Sequence, residues 1–436
     1  MSFSVGRILS AGALVVCTGL SAFSDAAVSP AGGAYSVPAL VALAEQNNRA
    51  LQAARLAVDI SRARLAQAGL RSNPRFEVGA RSGLLVGEAR EYEVSLGITQ
   101  DFPVAGRLLR QKDLARVDVA LAEAEVAEAE RQQAGTVAAS AYRLHVLDLR
   151  ERELEKIIAG EQSLVSTVRT RFKAAEVSEM DVNTVRLELQ RRQQELETVE
   201  VERTATLGEL NGLLGRHVSQ PLDLAITDDS RAPPPDLARL QDMALEHRAD
   251  WHKALLQVDR ASAELALAHS QRWEDWSLTV GIGQDRQVID GVPPQGPGRM
   301  LGVSVSIPLP LYNKGQGRIA EALAVGDQAR ALLEAQRFAI SNEVAIAYAQ
   351  LRDLRAALVL ARESFPLTQR NVFLARLGYS QGLLPVYDVV LAQRQQAESY
   401  ARYLDLLEKT LAAEVRLGTA VGDPFVGTDV KTDRRG

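Results

Sequence analysis

Five histidines, four methionines and a single cysteine are all that this chain of 436 residues offers a soft metal ion. The histidines are His145, His217, His247, His252 and His269, and no pair stands at a ligand spacing backed by cysteines or clustered carboxylates. Glu246-His247 and His252 lie close together, as a solvated helix face places them. One methionine is the initiator, so there is no methionine-rich copper path. Catalytic signatures are equally absent: no nucleophile elbow, phosphate loop or zinc-protease motif occurs, and "GIGQDRQ" at 281–287 is a loose glycine pair on an alternating stretch. The chain is therefore expected to hold no cofactor and no metal site and to catalyse nothing. A formal charge of −5 gives no sign of a nucleic-acid partner. What remains are two aspartates, in "KAAEVSEMDV" (173–182) and "YSQGLLPVYDV" (379–389). Asp181 and Asp388 both stand early in a helical run, where an aspartate commonly acts as a cap.

The elements that carry these aspartates occur twice. A shift of 200 pairs Ala44, Ala54, Val58-Asp59 and Leu65-Ala66 with Ala244, Ala254, Val258-Asp259 and Leu265-Ala266. A shift of 207 pairs Asp181-Val182, Leu210 and Gly215 with Asp388-Val389, Leu417 and Gly422. The chain is thus an internal duplication, with repeats at 27–232 and 233–425 that break near Pro233-Pro234-Pro235, and a disordered tail at 426–436. Each repeat reads as a helix (38–70; 236–270), a β-hairpin (74–102; 274–309) and a long helical hairpin with its tip near 173–181 or 379–387. No proline occurs between Pro103 and Pro221. The run from about Ala105 to Lys173 predicts a rod on the order of 100 Å. Its apolar positions recur at mixed three- and four-residue spacings, which suits side-by-side packing without a clean heptad. A coiled-coil stalk fits that pattern as well. Pro366 is expected to interrupt and kink the matching rod of the second repeat.

The four strands bear on location. Phe76, Val78, Ala80 and Leu84 alternate with Glu77, Gly79 and Arg81, and Tyr92, Val94, Leu96 and Ile98 alternate with Glu93, Ser95, Gly97 and Thr99. Trp276, Leu278, Val280 and Ile282 form a third apolar set, and Leu301, Val303, Val305 and Ile307 a fourth. Each run has about the 8–11 residues of a tilted membrane strand, and Phe76, Tyr92, Phe102, Trp273, Trp276 and Tyr312 sit near strand ends, where aromatic girdles form. Two half-buried hairpins on a soluble core would alternate in the same way, but little else in the chain could cover four apolar faces. Four strands cannot close a barrel, so a membrane role requires chains that share one: three copies supply twelve strands, two supply eight.

The N-terminus reads as a secretory signal over 1–26: Arg7, an apolar run from Ile8 to Phe23, then Ser24-Asp25-Ala26. The single cysteine, Cys17, lies inside it. Lipidation there is an alternative that Val16, bulky where a lipoprotein signal takes a small residue, disfavours. No later stretch is long and apolar enough for a membrane helix.

Together the duplication, the four strands and the rods resemble the TolC-type outer membrane efflux proteins, or outer membrane factors, over about residues 36–425. "IPLPLYNKGQGRIAEA" (307–322) is similar to the heavy-metal, CzcC/CusC-like branch; "NPRF" (73–76), "LARLGYSQG" (374–382) and "YDVVLAQRQ" (387–395) also look like the family. The resemblance implies a mainly α protein with transmembrane β: a homotrimer with a 12-stranded outer-membrane barrel, four strands per chain, and a long α-helical barrel in the periplasm. Its implied partners are a periplasmic membrane-fusion adaptor, an inner-membrane resistance-nodulation-division (RND) pump and outer-membrane lipid. It places Asp388, and by repetition Asp181, at a periplasmic pore constriction, with Leu391 where some relatives carry a second acid. It makes Ala175, Glu176, Ser178, Tyr379, Gly382 and Leu384 the adaptor-facing tips, with Ala175 standing where the family has glycine. Phe76, Val78, Tyr92, Val94, Leu96, Ile98, Trp276, Leu278, Val280, Val303, Val305 and Ile307 would face lipid. Export of organic drugs or of type I secreted proteins through the same fold, and a soluble periplasmic coiled-coil or adaptor-like protein, are the competing expectations.

Overall fold

The computed structural model describes residues 34–82, 91–226, 233–286 and 296–423. The expected signal 1–26 with Cys17, the tail 426–436 and Leu84 lie outside the described residues. In the first repeat come helices α1 (Val37–Asn47) and α2 (Arg49–Gln67), strands β1 (Arg75–Ser82) and β2 (Tyr92–Phe102), then α3 (Arg107–Lys173) and α4 (Glu179–Leu213). The second repeats the order: α5 (Leu237–His247), α6 (Ala249–Ser270), β3 (Trp276–Arg286), β4 (Gly298–Ser306), α7 (Gln316–Ser380) and α8 (Val386–Val421). The 67 residues of α3 and 65 of α7 make rods of about 100 Å each. Both rods begin from a glycine in the left-handed conformation, Gly106 (φ 70°) and Gly315 (φ 72°), which turns the chain sharply from strand to helix.

Three expectations need correction. The helices expected over 38–70 and 236–270 are each two helices, broken at Asn48 and Arg248, whose backbones are extended. No glycine or proline marks either break; a buried polar side chain makes it. Asn48 accepts from the N–H groups of Ala50 (2.8 Å) and Leu51 (3.1 Å) and donates to the carbonyl of Leu213 (3.1 Å) at the end of α4. Arg248, 3 % exposed, donates to the carbonyl of Ala420 (2.9 Å) near the end of α8 and to the carboxylates of Asp250 and Glu343 (2.7 Å each). Each repeat thus ties the end of its last helix to the break in its first. Second, α7 runs unbroken through Pro366. Proline removes one helical hydrogen bond, and packing along α8, including Phe365 against Tyr400 (ring centroids 4.7 Å apart), holds the helix continuous. Third, Ile307 lies one residue beyond β4, whose pairing ends at Ser306 just before Pro308.

The strands form one antiparallel sheet in the order β1-β2-β3-β4, so that the β2–β3 pairing joins the two repeats. Its register aligns Phe76 with Ile98, Ile98 with Val280, and Val280 with Val303. A second row runs Val78, Leu96, Ile282, Leu301. Period-two alternation therefore puts every apolar set on the same face. Among the described residues, no helix is long and apolar enough to cross a membrane. Separate clusters hold the helices together: Leu40, Val137, Leu144, Leu210 and Leu214 in the first repeat, and Leu240, Ile340, Val344, Leu351 and Leu417 in the second.

Candidate functional site

The two helical tips are the same turn built from different residues. At the end of α3, Ala175 has φ +61°, and the N–H of Glu176 reaches back to the carbonyl of Arg171 (2.9 Å). At the end of α7, Gly382 has φ +75°, and the N–H of Leu383 reaches the carbonyl of Gly378 (2.8 Å). Both are left-handed helix stops. Glycine adopts that conformation freely, whereas Ala175 is strained by about 1 kcal/mol.

The following residues separate the two aspartates. Ser178 caps α4 in a reciprocal box: its hydroxyl accepts from the N–H of Asp181 (3.2 Å), while the Asp181 carboxylate accepts from the N–H (3.0 Å) and hydroxyl (2.8 Å) of Ser178. The equivalent residue before α8 is Pro385, which has no hydroxyl, and α8 has no side-chain cap. The side chain of Asp388 accordingly makes no hydrogen bond or ion pair among the described residues. It is half-buried in the first turn of α8, with Leu391 exposed one turn on and the apolar Val386, Val389 and Val390 on the opposite, buried side.

The tips are clipped together. Arg171 of α3 donates to the carbonyls of Tyr379 (3.1 Å) and Ser380 (3.2 Å), the last of α7, and lies 4.4 Å over the Tyr379 ring. Tyr379, expected on the outward face of the tip, is instead 5 % exposed. It belongs to an apolar cluster with Val168, Val182, Val185, Val372 and Val389, which joins all four long helices beneath the turns. Glu176, Ser178, Gly382 and Leu384 are exposed, with Leu383 and Tyr387 beside them.

Above this cluster lies a buried polar group. Glu188 of α4 receives Arg192 (3.2 Å) and a two-pronged contact from Arg394 of α8 (2.6 and 2.7 Å); Arg192 also reaches Glu195 (2.8 Å). Glu161 of α3, 2 % exposed, lies 3.9 Å from Arg192, and neither of its carboxylate oxygens has a hydrogen-bond partner. Burial pushes its carboxyl up to about 7 against the pull of Arg192. The Glu188/Arg192 spacing is visible in the sequence, but a helix with both on its surface reads identically. Arg171 has no sequence signal at all, because its partners are backbone carbonyls 208 and 209 residues away.

The sheet has two unlike faces. On one, Phe76, Val78, Val94, Leu96, Ile98, Trp276, Val280, Val303 and Val305 are exposed, Val303 by 65 %, while Tyr92 and Leu278 are half-buried; Ile307, just past the strand, is also exposed. The other carries Glu77, Ser95, Ser277 and Ser304 and the hydroxyl pair Thr99–Thr279 (2.8 Å). No group of three or more His, Cys, Asp or Glu among the described residues is placed to hold a metal ion.

A protein-family model described as "Outer membrane efflux protein" matches residues 40–216 and 240–423, one match per repeat. The cobalt-zinc-cadmium resistance protein CzcC of Cupriavidus metallidurans is 24 % identical over 400 residues, which cover 90 % of this chain and 91 % of CzcC. A solved structure of CusC superposes with a TM-score of 0.74 at 21 % identity, covering 89 % of this chain and 92 % of that one. The outer membrane protein VceC of Vibrio cholerae superposes with a TM-score of 0.71 at 19 % identity, covering 89 % and 96 %.

Proposed function

Because the chain belongs to the outer membrane efflux protein family, we propose that it is the outer-membrane exit duct of a tripartite efflux system and that its cargo is heavy-metal cations. It resides in the outer membrane of a Gram-negative cell, with a long periplasmic portion made by α3, α4, α7 and α8. The observation that carries this reading is the sheet, with one apolar face exposed, one polar face, and free edges at β1 and β4. Hydrocarbon tolerates no unpaired edge, so the chains close a barrel together, three copies of four strands making twelve. In that homotrimer the polar face lines the lumen. The exposed tips meet a periplasmic membrane-fusion adaptor coupled to an inner-membrane RND pump, which supplies the energy; this chain only conducts. Metal cargo rather than organic cargo is supported by the similarity to CzcC across 90 % of the chain.

At the periplasmic end Asp388 is the acid free to act on cargo. Three such carboxylates around one axis attract cations, and Leu391 narrows the next turn. Asp181 is held in its cap and serves the tip turn.

Survival of a strain lacking this protein, on zinc, cobalt, cadmium, nickel, copper and silver beside a panel of dyes and antibiotics, tests the reading. Sensitivity confined to metals and restored by the intact gene is expected; sensitivity to organic compounds alone would overturn the metal assignment and leave the duct. In single-channel recordings Asp388→Ala should lower cation preference, and unchanged selectivity would remove Asp388 from the constriction.

A further inference from the structure

The apolar stripe of β4 outlasts the strand. Pairing stops at Ser306, yet Leu301, Val303, Val305, Ile307, Leu309 and Leu311 continue the same alternation, and Leu309 and Leu311 remain 69 % and 66 % exposed. Tyr312 follows at 93 %. The first repeat has nothing comparable: two residues separate Pro103 from the left-handed Gly106, and six separate Pro308 from its counterpart Gly315. An insertion of bare leucines and a tyrosine has thus been placed where sheet gives way to helix.

Its backbone fixes the depth at which it can sit. Pro308 and Pro310 have no N–H, and the N–H of Leu311 turns inward onto the carbonyl of Leu309 (2.8 Å). The segment therefore offers little as a strand edge to a neighbouring chain. The carbonyls of Pro308, Pro310 and Leu311 accept no hydrogen bond among the described residues. Such carbonyls are costly in hydrocarbon and are satisfied by water in the headgroup layer. Three residues beyond Leu311, Lys314 is exposed and makes no ion pair among the described residues.

We propose that residues 307–314 form a lipid anchor in the periplasm-facing leaflet, with Leu309 and Leu311 dipping into the acyl chains, Tyr312 at the interface and Lys314 against lipid phosphates. The occupant is lipid because the stripe is continuous with the face of β4 that meets the membrane. The leaflet follows from the chain, since this segment leads straight into α7. Interfacial leucines and aromatics beside a basic residue are the usual composition of such anchors. The proposal rests on the outer-membrane reading of the sheet.

The test separates the two. Single cysteines at Val303, Ser304, Leu309 and Leu311 of the mature full-length protein, spin-labelled in phospholipid vesicles, would be compared for relaxation by oxygen, which concentrates in lipid, and by a water-soluble nickel chelate. Labels at Leu309→Cys and Leu311→Cys are expected to favour oxygen several-fold over Ser304→Cys, approaching Val303→Cys. Nickel-dominated relaxation at both, with Val303→Cys still lipid-exposed, would place the segment in water and overturn the anchor alone. Exclusion of both reagents would assign it to contact with a second copy, and also overturn it. A water-exposed Val303→Cys would remove the membrane reading and the anchor together.

Discussion

Ser178 and Pro385 stand at equivalent places in the two repeats, and that one difference gives two aspartates different surroundings. Where serine caps the helix, the carboxylate of Asp181 is held by it; where proline stands, that of Asp388 has no partner among the described residues. Asp181→Ala should therefore cost up to about 1 kcal/mol of stability through the lost carboxylate half of the capping box, the Ser178 hydroxyl keeping its own bond to the backbone, read in a denaturant titration. Ala175, one turn earlier, holds a conformation that suits glycine. Ala175→Gly should relieve backbone strain and stabilise the tip by up to about 1 kcal/mol, the greater freedom of glycine in the unfolded chain offsetting part of the gain. Glu161 gives a pH dependence. Its carboxyl is raised from 4.5 to about 7 by burial, so the folded chain binds the proton more tightly than the unfolded one. Stability from this group is full below pH 4.5 and falls as pH rises to about 7, by on the order of 3 kcal/mol. Glu161→Gln, neutral throughout, should flatten that decline and melt at a higher temperature than the parent above pH 7. Melting curves at pH 5, 6, 7 and 8 check this; an unchanged slope would assign the decline to other groups.

Among the elements, the paired breaks at Asn48 and Arg248 show the duplication in three dimensions with the chemistry changed. A neutral amide caps a helix and holds one carbonyl; a guanidinium holds one carbonyl and two carboxylates. Loss of the second is the more costly, because Arg248→Ala leaves the half-buried Asp250 without its main cationic partner. It should destabilise by about 3 kcal/mol, against about 1 kcal/mol for Asn48→Ala. Hydrogen exchange should report the difference locally, with faster exchange in the last turn of α8 for Arg248→Ala and of α4 for Asn48→Ala. Equal effects on both helices would mean that the ties do not act within their own repeats. The breaks also explain why a single run of about 35 residues was expected: apolar periodicity continues across Asn48, and nothing in the local sequence shows that its amide will meet the carbonyl of Leu213.

For the molecule as a whole, the two faces of the sheet make opposite demands on substitution. Val303→Arg places a charge on the apolar face and should cost about 2–4 kcal/mol of membrane stability, seen as loss of the heat-modifiable oligomer from the outer-membrane fraction. Ser304→Arg, one residue away on the polar face, should leave assembly intact and change conductance instead. Equal loss of both would show that the sheet does not separate lipid from lumen. On the proposed reading, the same division accounts for a chain whose four strands keep an exposed apolar face: other copies and lipid would cover it.

The sequence by itself determined the duplication, the four alternating strands, the long rods and the positions of both tips, because periods of two and near 3.6 and the placement of proline and glycine are local properties of the chain. It also carried the family resemblance, in the stretch from Ile307 to Ala322. Only the tertiary structure decided which of two matching aspartates is free, that Tyr379 lies inside the tip under Arg171, that α7 passes Pro366 unbroken, and that Glu161 is buried beside Arg192. Each of those depends on groups tens to hundreds of residues apart meeting in the packed helices, where burial and a partner's charge, rather than residue type, fix what a side chain does.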